Sequence, residues 1–115
     1  MKVTMYHNPR CSKSRAALKL LREGGIEPEI IEYLQTPPSA GQVDRILNML
    51  GVEPRRIMRR KENAYAALGL DNENLTRQEL IQAIVTHPIL LERPIVVANG
   101  KAALGRPPEE VLTIL

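Results

Sequence analysis

The sequence predicts an α/β fold in which a strand–helix–strand opening and a strand–strand–helix closure flank a helical middle. Three observations carry this prediction. Short β-prone runs at Val3–Tyr6 and Ile30–Tyr33 bracket a helical stretch from Ser12 to Glu23. Two capping-box signatures, Ser39 with Gln42 and Thr76 with Glu79, open helices between them and the C-terminal third. Finally, Asn99-Gly100 separates two further β-prone runs, the strongest short-range hairpin signal a sequence offers.

Taken in order, the first strand, Val3–Tyr6, is broken by His7-Asn8-Pro9. From Ser12 to Glu23, Ala17, Leu20 and Leu21 mark one helical face, and Gly24-Gly25 ends the helix. Ile30, Ile31 and Tyr33 form the second strand, closed by Thr36-Pro37-Pro38. Strand, helix and strand in so short a space predict a parallel βαβ unit with a right-handed crossover. The helix after Ser39 carries Val43, Ile46, Leu47 and Leu50 at helical spacing and stops at Gly51. Shorter helical pieces are predicted over Pro54–Arg60 and Glu62–Leu68. The helix after Thr76 turns Leu80, Ile81, Ile84 and Val85 inward and ends near His87-Pro88. Pro94–Ala98 and Lys101–Leu104 pair across the Asn-Gly turn. A last helix starts at Pro107-Pro108-Glu109-Glu110, with proline in its first turn and acids placed to meet the dipole. The order βαβ, helical insertion (about 37–87), ββα is that of a thioredoxin-like domain spanning 1–115.

Composition narrows the functional classes. Apolar residues at 43% and charged residues at 25% suit a soluble globular chain and argue against disorder. With no Phe and no Trp, the core must be aliphatic. The net charge of +3 is modest, but it rests on eleven arginines against five lysines. Guanidinium groups bind oxyanions through two parallel hydrogen bonds, so this preference matters more than the sum. One cysteine cannot form an internal disulfide, so the fold needs no oxidising compartment. No run approaches the roughly 20 apolar residues that span a bilayer. The segment MKVTMYHNPRC lacks the apolar core of a signal peptide, which makes the cytoplasm the expected location. One Cys and two distant His provide no metal-binding spacing. Arg55, Arg56, Arg59, Arg60 and Lys61 read first as a solvated face; no aromatic residues interleave with them, so a nucleic-acid role is not expected.

The chemistry concentrates between Tyr6 and Arg15. Cys11 sits where a strand ends and a helix begins, where free helical N–H groups and the positive dipole end favour a thiolate. Arg10, Lys13 and Arg15 add positive charge. The same N–H groups cradle a tetrahedral oxyanion. Ser14 occupies the second cysteine position of a C-x-x-C motif, so the site is monothiol and needs an outside thiol to regenerate it. A lone cysteine is most often an inert buried one, but these polar, basic neighbours argue against an apolar setting. His7 reads equally as a catalytic group and as a residue that fixes the loop. His87 reads as a helix-end residue, and Glu109-Glu110 and Glu27/Glu29 as surface acids.

Tyr6-His7-Asn8-Pro9-x-Cys11-x-x-Ser14-Arg15, His87-Pro88-Ile89-Leu90-x-x-Arg93-Pro94-Ile95-Val96-Val97 and Gly105-Arg106-Pro107 together resemble the glutaredoxin-dependent (ArsC-type) arsenate reductases. The likeness runs from residue 3 to the C-terminus. It implies that Cys11 attacks arsenate, that three arginines hold the oxyanion, and that glutathione and then glutaredoxin complete the reduction to arsenite, with no bound cofactor. By motif the arginines are Arg59, Arg93 and Arg106. Arg59 is preferred to its neighbour Arg60 for its spacing to Tyr65 and Leu68-Gly69-Leu70. His7 and Ser14 match the residues that stabilise the thiolate in the family. The likeness also implies a cis peptide at Arg93-Pro94. The chain ends at Leu115, whereas the longer members carry a C-terminal tail; it resembles a short-chain branch whose substrate need not be arsenate.

Two other classes fit parts of the pattern. A glutathione-dependent thiol-disulfide oxidoreductase is compatible with Cys-x-x-Ser but has no need of three converging arginines. An Spx-like RNA polymerase-binding regulator shares the fold, but such proteins use a C-x-x-C switch that Ser14 removes.

Overall fold

The computed structural model describes residues 2–115. The chain divides into two compact units, residues 2–36 with 93–115, and residues 37–92. The first unit is built on a four-stranded sheet in the order β2-β1-β3-β4. β1 (Val3–Tyr6) pairs in parallel with β2 (Glu29–Ile31), in the register Met5 to Ile30. It pairs antiparallel with β3 (Ile95–Ala98), Met5 opposite Val96, and β3 pairs antiparallel with β4 (Lys101–Leu104). The hairpin turn is Asn99-Gly100, with φ of 56° and 71°, the left-handed pair a type I′ turn requires.

α1 (Ser12–Glu23) follows β1 and crosses to β2. Its C-terminus closes in a Schellman arrangement. The Gly25 N–H donates to the Arg22 carbonyl (3.0 Å) and the Ile26 N–H to that of Leu21 (2.9 Å), with Gly25 at φ 80°. Ala17 and Leu21 of α1 pack with Val3, Met5, Val96, Ala98 and Ala103 of the sheet and with Val111 and Ile114. Leu20, expected on that face, is only half-buried.

The structure corrects three details here. β2 ends at Ile31, so Tyr33 lies in a turn, although its side chain is fully buried. The closing helix is a 3₁₀ helix, Pro108–Ile114, not an α-helix. Three residues per turn bring Val111 and Ile114 to the same side, the two residues the sheet face needs covered. A second cis bond, Arg106-Pro107, accompanies the expected one at Arg93-Pro94.

The second unit is helical. α2 (Ala40–Leu50) and α4 (Arg77–Thr86) both start with complete capping boxes, from Ser39 with Gln42 and Thr76 with Glu79. A short 3₁₀ turn (Pro54–Ile57) and α3 (Asn63–Ala67) replace the two longer pieces the sequence suggested. Val43, Ile46, Leu47, Ile57, Leu80, Ile81, Ile84, Leu90 and Leu91 are buried, whereas Val85 is half-buried. Across α2 and α4, Arg77 donates from Nε and Nη2 to Asp44 Oδ1, at 3.1 and 2.9 Å. No helix is long and apolar enough to cross a membrane among the described residues.

Candidate active site

The segment from His7 to Cys11 is tied down before α1 begins. The His7 N–H donates to the Ile31 carbonyl (2.9 Å), anchoring the loop to β2. Asn8 Oδ1 accepts the Arg10 N–H (3.0 Å) in an Asx turn, and the Asn8 carbonyl accepts the Cys11 N–H (3.0 Å). Arg15 Nη1 donates to the Pro9 carbonyl at 2.9 Å. Cys11 thus becomes the N-cap residue of α1, with extended φ and ψ of −92° and 122°. Its position follows directly from the strand-breaking Asn8-Pro9 and the helix-forming run after it.

Cys11 is buried as a residue, and burial alone would raise its pKa. The opposing influences win. The backbone N–H groups of Ser14 and Lys13 and the Arg93 guanidinium all favour the charged form, so the pKa lies below the ordinary thiol value. Cys11 makes no side-chain cap hydrogen bond by strict geometry, and the N–H groups of the first turn face its sulfur.

Behind the cysteine, Ser14 and His7 form a buried pair. Ser14 Oγ lies 2.6 Å from His7 Nδ1 and accepts the Asn8 N–H at 3.1 Å. Ser14 is fully buried and His7 is 6% exposed. Burial pushes the His7 pKa down; Glu32 opposes this, and Arg22 and Arg15 add to it. The neutral form of the ring is thereby favoured. It connects through Ser14 to the first turn of α1, where the Ser14 N–H faces the cysteine.

Arg93 lies two residues before β3, and its guanidinium favours the Cys11 thiolate both as a charge and as a hydrogen-bond donor. Its Nε and Nη1 are buried and have no hydrogen-bond partner among the described residues. Buried guanidinium nitrogens without an acceptor are costly and uncommon in folded proteins. Arg106 Nε donates to the Arg93 carbonyl at 3.1 Å, which links the two arginines through the backbone. The close approach behind them depends on Gly105. A Cβ there would lie 2.5 Å from Pro94 Cγ, and the Gly105 N–H donates to the Pro94 carbonyl at 2.8 Å.

His7, Cys11, Ser14, Arg93 and Arg106 all belong to the first unit. Arg59 belongs to the second, where it pairs with Glu62 and, through Nε at 3.9 Å, with Glu92. Its N–H donates to the Leu90 carbonyl (2.7 Å) beside the bridge between Met58 and Leu91, so its backbone is fixed as well. Arg60 is exposed. The sequence does not single out Gly105 as a positioning residue, because only the tertiary packing brings Pro94 against it. Among the described residues no group of three His, Cys, Asp or Glu side chains is arranged to hold a metal ion.

A thioredoxin-like sheet thus carries a lone thiol at the N-cap of its first helix, with the Arg93 guanidinium beside it. The family model of the ArsC family matches residues 6–114. An arsenate reductase of Neisseria meningitidis serogroup A is 54% identical over 114 residues, covering 98% of this chain and 97% of that protein. YfgD of Escherichia coli, an uncharacterised protein, is also 54% identical, over 98% of this chain and 96% of its own length. The solved structure of an arsenate reductase from Vibrio cholerae superposes with a TM-score of 0.97 at 51% identity, covering 100% of this chain and 98% of that one. This chain belongs to the ArsC family.

Proposed function

We propose that this protein is an arsenate reductase in which Cys11 is the nucleophile, Arg93, Arg106 and Arg59 hold the oxyanion, and glutathione and a glutaredoxin supply the electrons. The observation that carries this reading is Arg93. Its charge favours the Cys11 thiolate while Nε and Nη1 stay buried without an acceptor. A tetrahedral oxyanion placed against the sulfur would satisfy both nitrogens, and the N–H groups of the first turn of α1 would take another of its oxygens. The names of the relatives in Neisseria meningitidis and Vibrio cholerae support arsenate as that oxyanion.

In this mechanism the Cys11 thiolate forms a sulfur–arsenic bond as one arsenate oxygen leaves as water, with arsenic still pentavalent. Arg93, Arg106 and Arg59 offset the charge on the equatorial oxygens. His7 and Ser14 hold the first helical turn in place behind the sulfur. Glutathione then attacks the Cys11 sulfur. The sulfur–arsenic electron pair passes to arsenic, which leaves as trivalent arsenite, and a Cys11–glutathione disulfide remains. Ser14 cannot resolve that disulfide, so a glutaredoxin thiol takes the glutathione and frees Cys11. A thiol that must stay reduced suits a cytoplasmic location.

The test is a coupled assay of purified protein with arsenate, glutathione and glutaredoxin. The reading expects arsenite formation that Cys11→Ser abolishes. Efficient reduction of a glutathione mixed disulfide with no arsenate turnover would replace it with a thiol-disulfide oxidoreductase.

A further inference from the structure

Two local devices hold Arg59, and both lie within the second unit. The Glu62 N–H donates to the Arg59 carbonyl (3.2 Å), closing a turn whose corner residues, Arg60 and Lys61, are exposed. That turn brings Glu62 back onto Arg59, and the two side chains pair through Nη1 and Oε1. The other device is a short antiparallel ribbon. The Arg59 N–H donates to the Leu90 carbonyl (2.7 Å) and the Glu92 N–H to that of Ile57 (2.8 Å), on either side of the bridge between Met58 and Leu91. Side chains alternate along such a ribbon, so Arg59 and Glu92 share a face, diagonal to one another and within reach of long side chains. Arg59 Nε and Glu92 Oε1 are 3.9 Å apart, an ion pair longer than a hydrogen bond. The side chains of Arg59, Glu62 and Glu92 are 29, 25 and 22% exposed, so water and salt screen them only in part. One guanidinium thus stands between two carboxylates, and the cluster is negative where Arg59 alone would be positive.

We propose that Glu62 and Glu92 decide which oxyanion Arg59 accepts, selecting oxyanions that keep an O–H over those that have none. The proposal rests on the reading of Arg59 as an oxyanion ligand, and not on which oxyanion is reduced. A carboxylate only accepts hydrogen bonds. A fully deprotonated oxyanion such as sulfate also only accepts, so its oxygens meet Glu62 and Glu92 as like charges with no proton between them. Phosphate and arsenate keep at least one O–H at neutral pH. Such an oxyanion takes Arg59 N–H groups with one oxygen and gives its O–H to a carboxylate with another. The repulsive contact then becomes a charge-assisted hydrogen bond. The two glutamates therefore work by penalising the wrong anion as much as by holding the right one. The length of the Glu92 contact makes Glu92 the carboxylate that turns to the ligand, while Glu62 anchors the guanidinium.

The experiment uses the full chain and its one cysteine as the reporter. The rate of Cys11 alkylation by iodoacetamide is followed against added inorganic phosphate or sulfate, at fixed pH and ionic strength. Each titration gives the concentration that half-protects the thiol. Phosphate is expected to protect the wild type at lower concentration than sulfate. In Glu92→Gln and in Glu62→Gln/Glu92→Gln the ratio of the two constants should fall about tenfold or more, the effect of one charge-assisted hydrogen bond. Glu92→Asp, which keeps the carboxylate, should retain a preference for phosphate. A merely structural role would weaken both anions alike and leave the ratio where it was. Equal protection of the wild type by the two anions, or a ratio unchanged in the double variant, overturns the selection and leaves Arg59 as a ligand. Protection absent from the wild type, or unaltered in Arg59→Ala, overturns the reading of Arg59 and the selection with it. With no arsenate in the assay, neither result bears on whether arsenate is reduced.

Discussion

Replacing Arg93 separates its two proposed roles. As an oxyanion clamp it contributes a charge-assisted pair of hydrogen bonds from nitrogens that no protein group engages. Losing such a donor at a developing charge costs about 2–4 kcal/mol of transition-state stabilisation, or about 30- to 900-fold in kcat/KM for arsenate. As the neighbour of Cys11 it also favours the thiolate, so Arg93→Ala should move the thiol pKa upward. Folding stability should respond in the opposite sense from an ordinary buried contact. Nε and Nη1 bear a desolvation cost in the free protein, so Arg93→Met, similar in length and apolar, should stay within about 1 kcal/mol of wild type in urea unfolding. Arg93→Lys should restore most of the thiolate effect and only part of the rate, because an ammonium lacks the two-pronged fork. The assays are steady-state arsenate reduction, alkylation rate against pH, and urea denaturation on the same three variants. A rate loss under threefold in Arg93→Ala would refute the clamp. So would a rate loss matched by several kcal/mol of destabilisation in Arg93→Met, since the arginine would then be structural.

Further outcomes follow from the same geometry. The alkylation rate of Cys11 should show a midpoint below that of the same thiol in the unfolded chain. Because the folded thiol titrates below the unfolded one, its thiolate contributes stability that is present above pH ~8.5 and lost as pH falls through the folded value. The stability difference between wild type and Cys11→Ser should accordingly widen as pH rises, and a difference that is flat across pH would contradict the shift. Gly105→Ala places a Cβ 2.5 Å from Pro94 Cγ. It should destabilise by about 1–3 kcal/mol and lower arsenate turnover through Arg93, measured by denaturation and by the coupled assay. Arg59→Ala should reduce kcat/KM for arsenate by about 30-fold or more, as expected for a clamp, whereas Arg60→Ala should stay within about threefold. The reverse pattern would move the third arginine to position 60.

The parts legible in the sequence are those set by neighbours along the chain. Ser39 with Gln42 and Thr76 with Glu79 cap their helices because the partners sit three residues apart, whatever surrounds them. Asn99-Gly100 turns the hairpin because both residues tolerate positive φ. Cys11 reaches its N-cap position because Asn8-Pro9 ends one element and Ser12 begins another. Where cooperative packing arbitrates, the sequence was a poorer guide. Tyr33 is β-prone yet lies in a turn, since the ladder between β1 and β2 runs out at Ile31 while burial still claims the ring. The final helix is 3₁₀, with Val111 and Ile114 packed into the sheet's core cluster. The residue types of the candidate site were readable from motif and charge, but their energetics were not. Seven residues of separation do not announce a 2.6 Å contact between His7 and Ser14. Nor does spacing say that Arg93 buries two donors without partners while Arg59 is engaged by Glu62 and Glu92. Local chemistry thus determined which groups this protein carries. Only the tertiary structure, by choosing which of them lose water and which find partners, decided how strongly each is charged and what it is free to bind.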